Sequence, residues 1–276
     1  MIPNVLSIAG TDPTSGAGIQ ADLKAMYALG AYGMSVITAV VAQNTQGVRR
    51  FVALEPNFVA EQLDAVFDDV RVDAIKIGMI ANVGIAEALA DRLQRRGLDC
   101  PIVLDPVMVA KSGDRLLSPQ AVSVLRDKLL PLCTVLTPNL PEAGDLLQKP
   151  EPASLADMHA YLHELCLLGP KWVLLKGGHL DGPDSVDLLQ GQGQSQRHVF
   201  QTPRIPTCNT HGTGCSLSSA IAALLPGRNV PEAVGLAKKY LNGAIAAADQ
   251  LQVGLGQGPI HHFHALWEQN ASLAVK

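Results

Sequence analysis

Nowhere in the 276 residues does an apolar run approach the roughly 18 residues that a membrane-crossing helix requires. The longest candidates, such as residues 36–42, have the length of a strand. No basic region precedes the first apolar run, so Met1-Ile2-Pro3-Asn4 is not expected to open a secretory signal. Lysine and arginine form no cluster and the net charge is only −4, which argues against nucleic acid as a partner. The five cysteines are scattered and odd in number, a poor basis for a disulfide framework and a good fit to free thiols in a reducing cytoplasm. Internal repeats and low-complexity tracts are also lacking. With 47% hydrophobic residues, the chain has material for one sizeable core, and a cytoplasmic enzyme of one domain, residues 1–276, is expected.

What is present is an alternation. Short apolar runs at residues 5–9, 36–42, 74–77, 102–104, 135–136 and 172–175 read as buried strands. Between them, helical spacing of apolar residues marks 17–29, 58–70, 83–93, 118–129 and 155–168. Residues 181–201 are the most polar stretch and read as an edge hairpin with a loop. Two long helices, 215–225 and 231–251, and a short one over 262–269 complete the chain. Strands that alternate with helices predict an α/β fold with a mostly parallel sheet covered on both faces.

In such sheets, ligands bind beyond the carboxyl ends of the strands, and here each apolar run ends in polar or glycine residues. The first ends in Gly10-Thr11-Asp12-Pro13, before Ser15-Gly16-Ala17-Gly18 and a helix carrying Asp22. The others end in Gln43-Asn44-Thr45, Lys76-Ile77-Gly78-Met79, Asp105-Pro106-Val107-Met108, Thr137-Pro138-Asn139 and Lys176-Gly177-Gly178-His179. The spacing of Gly10, Gly16 and Gly18 is not the dinucleotide fingerprint, and no acidic residue plainly ends the second strand. Asp105 suits either a helix-entry turn or Mg2+. Asn139 and Glu142, three apart, suit either a cap pair or a metal with its waters. Lys176 closes an apolar strand, where a phosphate partner would satisfy it. His261, His262 and His264 have no thiol or carboxylate at ligand spacing and are read as structural.

The segment Asn209-Thr210-His211-Gly212-Thr213-Gly214-Cys215-Ser216 is the most informative one. Two glycines in a turn let backbone N–H groups converge, and the helix that begins there adds its unpaired N–H groups and the positive end of its dipole. Such a site holds a phosphate or a developing oxyanion. The same helix end is expected to favour thiolate over thiol at Cys215 and make it a proton acceptor. Phosphoryl transfer needs an acceptor, a base, cations for the donor phosphates and an anion hole, and the chain offers a candidate for each.

These residues resemble one family. The motifs Val5-Leu6-Ser7-Ile8-Ala9-Gly10-Thr11-Asp12-Pro13, Gly16-Ala17-Gly18-Ile19-Gln20-Ala21-Asp22, Val41-Ala42-Gln43-Asn44-Thr45, Lys76-Ile77-Gly78-Met79 and Leu104-Asp105-Pro106-Val107-Met108 carry the likeness. So do Thr137-Pro138-Asn139-Leu140-Pro141-Glu142, Lys176-Gly177-Gly178-His179 and Thr210-His211-Gly212-Thr213-Gly214-Cys215. Taken in this order, they are similar to the hydroxymethylpyrimidine/phosphomethylpyrimidine kinases of thiamine biosynthesis, in the ribokinase-like superfamily. The resemblance implies a single-domain, ribokinase-like three-layer α/β/α sandwich and two Mg2+- and ATP-dependent phosphorylations of 4-amino-5-hydroxymethyl-2-methylpyrimidine.

By the same resemblance, Gly10, Asp22, Gln43, Met79, Val107 and Cys215 line the pyrimidine pocket. Asp105, Thr137 and Glu142 hold Mg2+, directly or through water. Asn139 and Lys176 address the ATP phosphates with Lys238 close by, and Gly212, Thr213, Gly214 and Cys215 supply the anion hole. A homodimer is implied too, with residues 49–54 offering an edge. Two other readings stand beside this one. A pyridoxal kinase shares the chemistry, although most relatives of that kind carry aspartate where this chain has Cys215. A pyrimidine-binding protein without catalysis would have no need of Asp105, Glu142 and Lys176.

Overall fold

The computed structural model describes residues 1–109 and 117–267. Its centre is an eight-stranded sheet. In chain order the strands are β1 (Asn4–Ala9), β2 (Tyr32–Ile37), β5 (Ala74–Ile77), β6 (Ile102–Leu104), β7 (Val135–Leu136), β8 (Trp172–Lys176), β9 (Asp184–Gly191) and β10 (Arg197–Pro203). Across the sheet the order is β10-β9-β8-β7-β6-β5-β1-β2. The six strands from β2 to β8 run parallel, and β9 and β10 add an antiparallel hairpin at one edge. The polar stretch at 181–201 therefore is the edge hairpin that its composition suggests.

Side-chain alternation along the strands divides the core in two. Leu6, Ile8, Ile75, Ile77, Leu104, Leu136, Val173 and Leu175 face one cluster. It is closed by α2 (Pro56–Phe67), α3 (Val83–Arg96), α4 (Pro119–Val124), α5 (Leu140–Leu147) and α6 (Leu155–Cys166). Val5, Ala74, Val103, Val135 and Leu174 face the other. There α1 (Gly18–Ala28), α7 (Thr213–Leu224) and α8 (Val230–Ala246) cover the sheet. This is the three-layer arrangement expected.

Alternation also decides where the charged residues go. Ser7 lies between Leu6 and Ile8, and Lys76 between Ile75 and Ile77, so both turn towards α1 and α7. Asp105, just past Leu104, and Lys176, just past Leu175, turn the same way.

Two expectations need correction, and one helix is an addition that bears out a cap-pair reading. Residues 36–42 do not form one strand. The chain leaves the sheet at Thr38, whose N–H donates to the Ala9 carbonyl at 3.0 Å and whose hydroxyl donates to the Met79 carbonyl at 2.6 Å. It then enters a separate two-stranded ribbon, β3 (Ala39–Asn44) with β4 (Gly47–Ala53). The helix expected over 118–129 is α-helical only to Val124 and continues as a π turn, Leu125–Leu129. The segment after Thr137 holds a helix of its own, α5, behind a capping box: Glu142 N–H donates to Asn139 Oδ1 at 2.9 Å and Asn139 N–H to Glu142 Oε2 at 2.8 Å. The short helix expected over 262–269 is seen at 264–267 and otherwise lies outside the described residues. Among the described residues no helix is long and apolar enough to cross a membrane.

Candidate active site

The carboxyl ends of β1, β5, β6 and β8 open into a cavity of about 690 Å3, into which the first turn of α7 points. Gly10, Gln43, Met79, Val107, Asp105, Asn139, Glu142, Lys176 and the run from Gly212 to Cys215 all line it. The β3–β4 ribbon contributes residues 43–48 as a side wall. Its ladder slips between Ala42 and Gln43 and leaves Arg49 unopposed, a bulge that bends the ribbon.

The glycine turn forms because two backbones touch. Gly212 has φ +80°, and a Cβ there would run into the Gly16 carbonyl. Gly18 has φ +57°, and a Cβ would crowd the Gly10 carbonyl. Asp12 and His211 tie the two loops, with the ring Nε2 2.8 Å from Asp12 Oδ2. The same carboxylate accepts from Ala17 N–H at 2.8 Å and from Thr14 N–H at 2.9 Å. Burial works against this carboxylate, but bonds from His211, Gln43 and Thr14 outweigh it and hold Asp12 well below the usual range.

At one end of the cavity Lys176 Nζ lies 2.9 Å from Asp105 Oδ1, and the Thr137 hydroxyl donates to the same oxygen at 3.2 Å. A Cβ on Gly214 would sit 3.3 Å from Lys176 Nζ and 3.5 Å from Asp105 Oδ2. The cation, the second carboxylate oxygen and the first turn of α7 thus look onto one small space. Burial would lower Lys176, but Asp105 and Glu142 keep it above its ordinary value. Glu142 moves the other way: burial pushes it up to about 8, against the pull of Lys176.

Cys215 stands at the wall, half-buried, where α7 begins. The thiolate expected from the helix end alone does not survive the surroundings. Burial pushes the thiol up to about 11; Lys76 pulls it down, while Asp22 and Asp105 push it further up. With this balance Cys215 is a thiol at neutral pH.

Three expected site residues stand outside the cavity lining. Asp22 is fully buried beneath the floor, and both its oxygens are occupied, by Lys76 at 3.0 and 2.8 Å, Ser7 at 2.6 Å and Ser219 at 2.7 Å. Lys238, on α8, is not among the lining residues. Its ammonium is 2.6 Å from Asp187, which in turn accepts from Gly177 N–H at 3.0 Å. Asp187 is the register partner of Lys176 across β8 and β9, so Lys238 braces the turn beside the cavity. Thr137 is fully buried and meets the site through Asp105.

Comparisons with known proteins place the chain in a family. The family model described as phosphomethylpyrimidine kinase matches residues 12–261. The chain belongs to the phosphomethylpyrimidine kinase family. It is 56% identical over 265 residues to the hydroxymethylpyrimidine/phosphomethylpyrimidine kinase of Escherichia coli strain K12, covering 96% of this chain and 98% of that protein. Among solved structures, the phosphomethylpyrimidine kinase of Clostridium difficile 630 overlays with a TM-score of 0.77 at 42% identity, covering 88% of this chain and 99% of that one. The Bacillus subtilis pyridoxal kinase, solved as an ADP complex, overlays with a TM-score of 0.87 at 33% identity, covering 97% and 100%.

Lys76, to which no sequence motif assigns a role, is fully buried, reaches the cavity floor and acts on Cys215. The signal was a lysine inside the apolar strand Ala-Ile-Lys-Ile. His211 was legible only as part of a glycine turn; its bond to Asp12 spans 199 positions. His262 is structural: its Nε2 is 2.8 Å from the buried Ser216 hydroxyl behind Cys215.

Proposed function

We propose that this chain is an ATP-dependent kinase of thiamine biosynthesis. It would work in the cytoplasm as a single domain over residues 1–276. Its first reaction phosphorylates 4-amino-5-hydroxymethyl-2-methylpyrimidine, and its second phosphorylates the resulting monophosphate. The observation that carries this reading is the convergence of Lys176, Asp105 Oδ2 and the first turn of α7 on one space beside Cys215.

In the first reaction the hydroxymethyl oxygen attacks the γ-phosphorus of ATP, the bond to the bridging oxygen breaks, and ADP leaves. Gly212, Thr213 and Gly214 offer backbone N–H groups to the transferred oxygens, and Lys176 offsets their charge, with Asn139 beside it. The hydroxyl proton goes to Cys215. A thiol pushed up to about 11 is a strong base in its small ionised fraction, and late proton loss suits the loose transition state of phosphoryl transfer. In the second reaction the acceptor is already an anionic phosphate and needs no base.

Gly10, Gln43, Met79 and Val107 would hold the ring, with Asp22 supporting the floor from below. Gln43 provides an amide for the aminopyrimidine edge, and Met79 and Val107 give apolar contact. Lys238 would act on the phosphate end through Asp187.

Asp105 and Glu142 would hold Mg2+, directly or through water, with the buried Thr137 hydroxyl fixing Asp105 from behind. These hard oxygen donors fit it, and Asp105 Oδ2 faces the gap that a Cβ on Gly214 would fill. When bound, the ion would neutralise charge on the phosphates.

The same reading takes the protein as a homodimer. Val40 and Val52, cross-strand partners on the β3–β4 ribbon, are 52% and 53% exposed and suit a second copy. Pyridoxal phosphorylation is a second reading, favoured by the better overlay on the Bacillus subtilis pyridoxal kinase. A coupled ADP-release assay with Mg2+-ATP, offering the pyrimidine alcohol, its monophosphate and pyridoxal in parallel, tests both. Turnover of the two pyrimidines with little on pyridoxal supports the proposal. Preference for pyridoxal moves the assignment, and silence on all three leaves a binding protein.

A further inference from the structure

Beneath the cavity floor lies a buried ion pair that the chemistry above leaves unused. Lys76 and Ser7 are register partners on β5 and β1, and the alternation of both strands turns them towards α1 and α7. There Asp22 of α1 accepts from both, with Lys76 Nζ at 2.8 Å and Ser7 Oγ at 2.6 Å. Its other oxygen accepts from Ser219 Oγ at 2.7 Å. Ser219 lies one helical turn beyond Cys215 on α7, so this carboxylate joins two strands and two helices directly behind the thiol. Lys76 and Asp22 are both fully buried. Stability alone is weak grounds for such a pair, since apolar residues of the same volume often serve a core as well or better.

The location of the pair offers the other ground. Among the described residues, four charged groups act on Cys215: Lys76 from β5, Asp22 from α1, Asp105 beyond β6 and Lys176 from β8. Lys176 is engaged by Asp105 at 2.9 Å and looks onto the space beside Gly214. Lys76 is the cation on the floor side, immobilised by Asp22, and Gly78 makes room for it: a Cβ there would lie 2.5 Å from Lys76 Nζ.

We propose that Lys76 is a positioning residue for phosphoryl transfer to the alcohol. Clamped by Asp22, it holds α7 to the sheet through Ser219 and presents the positive charge that Cys215 meets as it takes the alcohol's proton. The proposal rests on the function proposed above. The reacting form is the ionised fraction of Cys215, whose own proton has already gone to solvent; this thiolate Sγ takes the substrate hydroxyl's proton as the new O–P bond forms and ADP leaves, and Lys76 gains and loses nothing.

The test uses the full chain and three variants: Lys76→Met, the neutral pair Lys76→Met/Asp22→Asn, and Ser219→Ala. Iodoacetamide labelling at pH 8, read at the Cys215 peptide by mass spectrometry, reports the thiol without any substrate. Labelling is expected to slow at least tenfold in Lys76→Met and at least threefold in the neutral pair, and to stay within threefold in Ser219→Ala. The kcat for the alcohol should fall in the same order with KM within threefold, while the monophosphate reaction falls less. If Lys76→Met does not fold, the neutral pair carries the test. Labelling of that pair at the wild-type rate, or equal loss in both phosphorylations, would overturn the proposal and leave Lys76 a structural residue. If the wild-type protein turns over neither pyrimidine, the proposed function fails, while the labelling still judges Lys76.

Discussion

Gly214→Ala separates catalysis from folding at one methyl group. Gly214 is the second residue of α7 and has no left-handed backbone that would forbid alanine. Its added Cβ would meet only the end of the Lys176 side chain at 3.3 Å and Asp105 Oδ2 at 3.5 Å, contacts that a small side-chain shift relieves. Alanine is a better helix former than glycine by up to about 1 kcal/mol. Folding stability should therefore hold or rise slightly.

The same methyl group occupies the space onto which Lys176, Asp105 Oδ2 and the α7 N–H groups look. A phosphoryl oxygen bonded to Lys176 would stand about 2.8 Å from its Nζ, so oxygen and methyl cannot share that space. Loss of one such contact in other enzymes lowers kcat by about 10²–10³, or about 2.7–4 kcal/mol. Steady-state assays of both phosphorylations, beside thermal denaturation, check the two halves together. A variant that keeps the wild-type melting temperature and kcat within threefold would refute the placement of phosphoryl transfer at the head of α7. Gly212→Ala is the contrast: at φ +80° and against the Gly16 carbonyl it should fail to fold normally.

Further outcomes can be measured. Cys215→Ala should slow phosphorylation of the alcohol at least tenfold and that of the monophosphate much less; equal loss in separate assays would contradict a base role. Lys238→Met leaves Asp187 buried and unpaired and should cost about 3–5 kcal/mol in urea unfolding, with a raised KM for ATP as Gly177 loosens. His262 is pushed down to about 3, chiefly by burial, so it stays neutral in the folded protein and takes a proton on unfolding below about 6.5. Its contribution is therefore complete above pH 6.5 and is lost as pH falls towards 3. His262→Asn should flatten that part of a stability–pH curve, and an unchanged slope would remove His262 as its source.

Much of the fold was legible because buried parallel strands announce themselves as short apolar runs with polar ends. Residues 5–9, 74–77, 102–104 and 172–175 lie within strands of the structure. The same signal failed at 36–42, because apolar character persists where the chain passes from the sheet to the ribbon. The break at Thr38 rests on bonds to Ala9 and Met79, which no local pattern reveals. Cys215 was legible as a site residue, but its protonation was not: a helix end is visible in sequence, whereas Asp22, Asp105 and the depth of the floor are assembled from distant segments. Asp22 itself looked like a pocket carboxylate until Ser7, Lys76 and Ser219 occupied it.

The ties that close this site reach across most of the chain. Ser219 meets Asp22 over 197 positions, His211 meets Asp12 over 199, and Gly256 meets Thr45 over 211. High contact order of this kind slows folding, because the chain must close long loops before any such bond forms. On the ribosome, β1, α1 and the ribbon emerge early but cannot complete the cavity. Ser219 can close on Asp22 only once α7 has followed α1 out of the ribosome, so a nascent chain stalled before α7 would hold half a site.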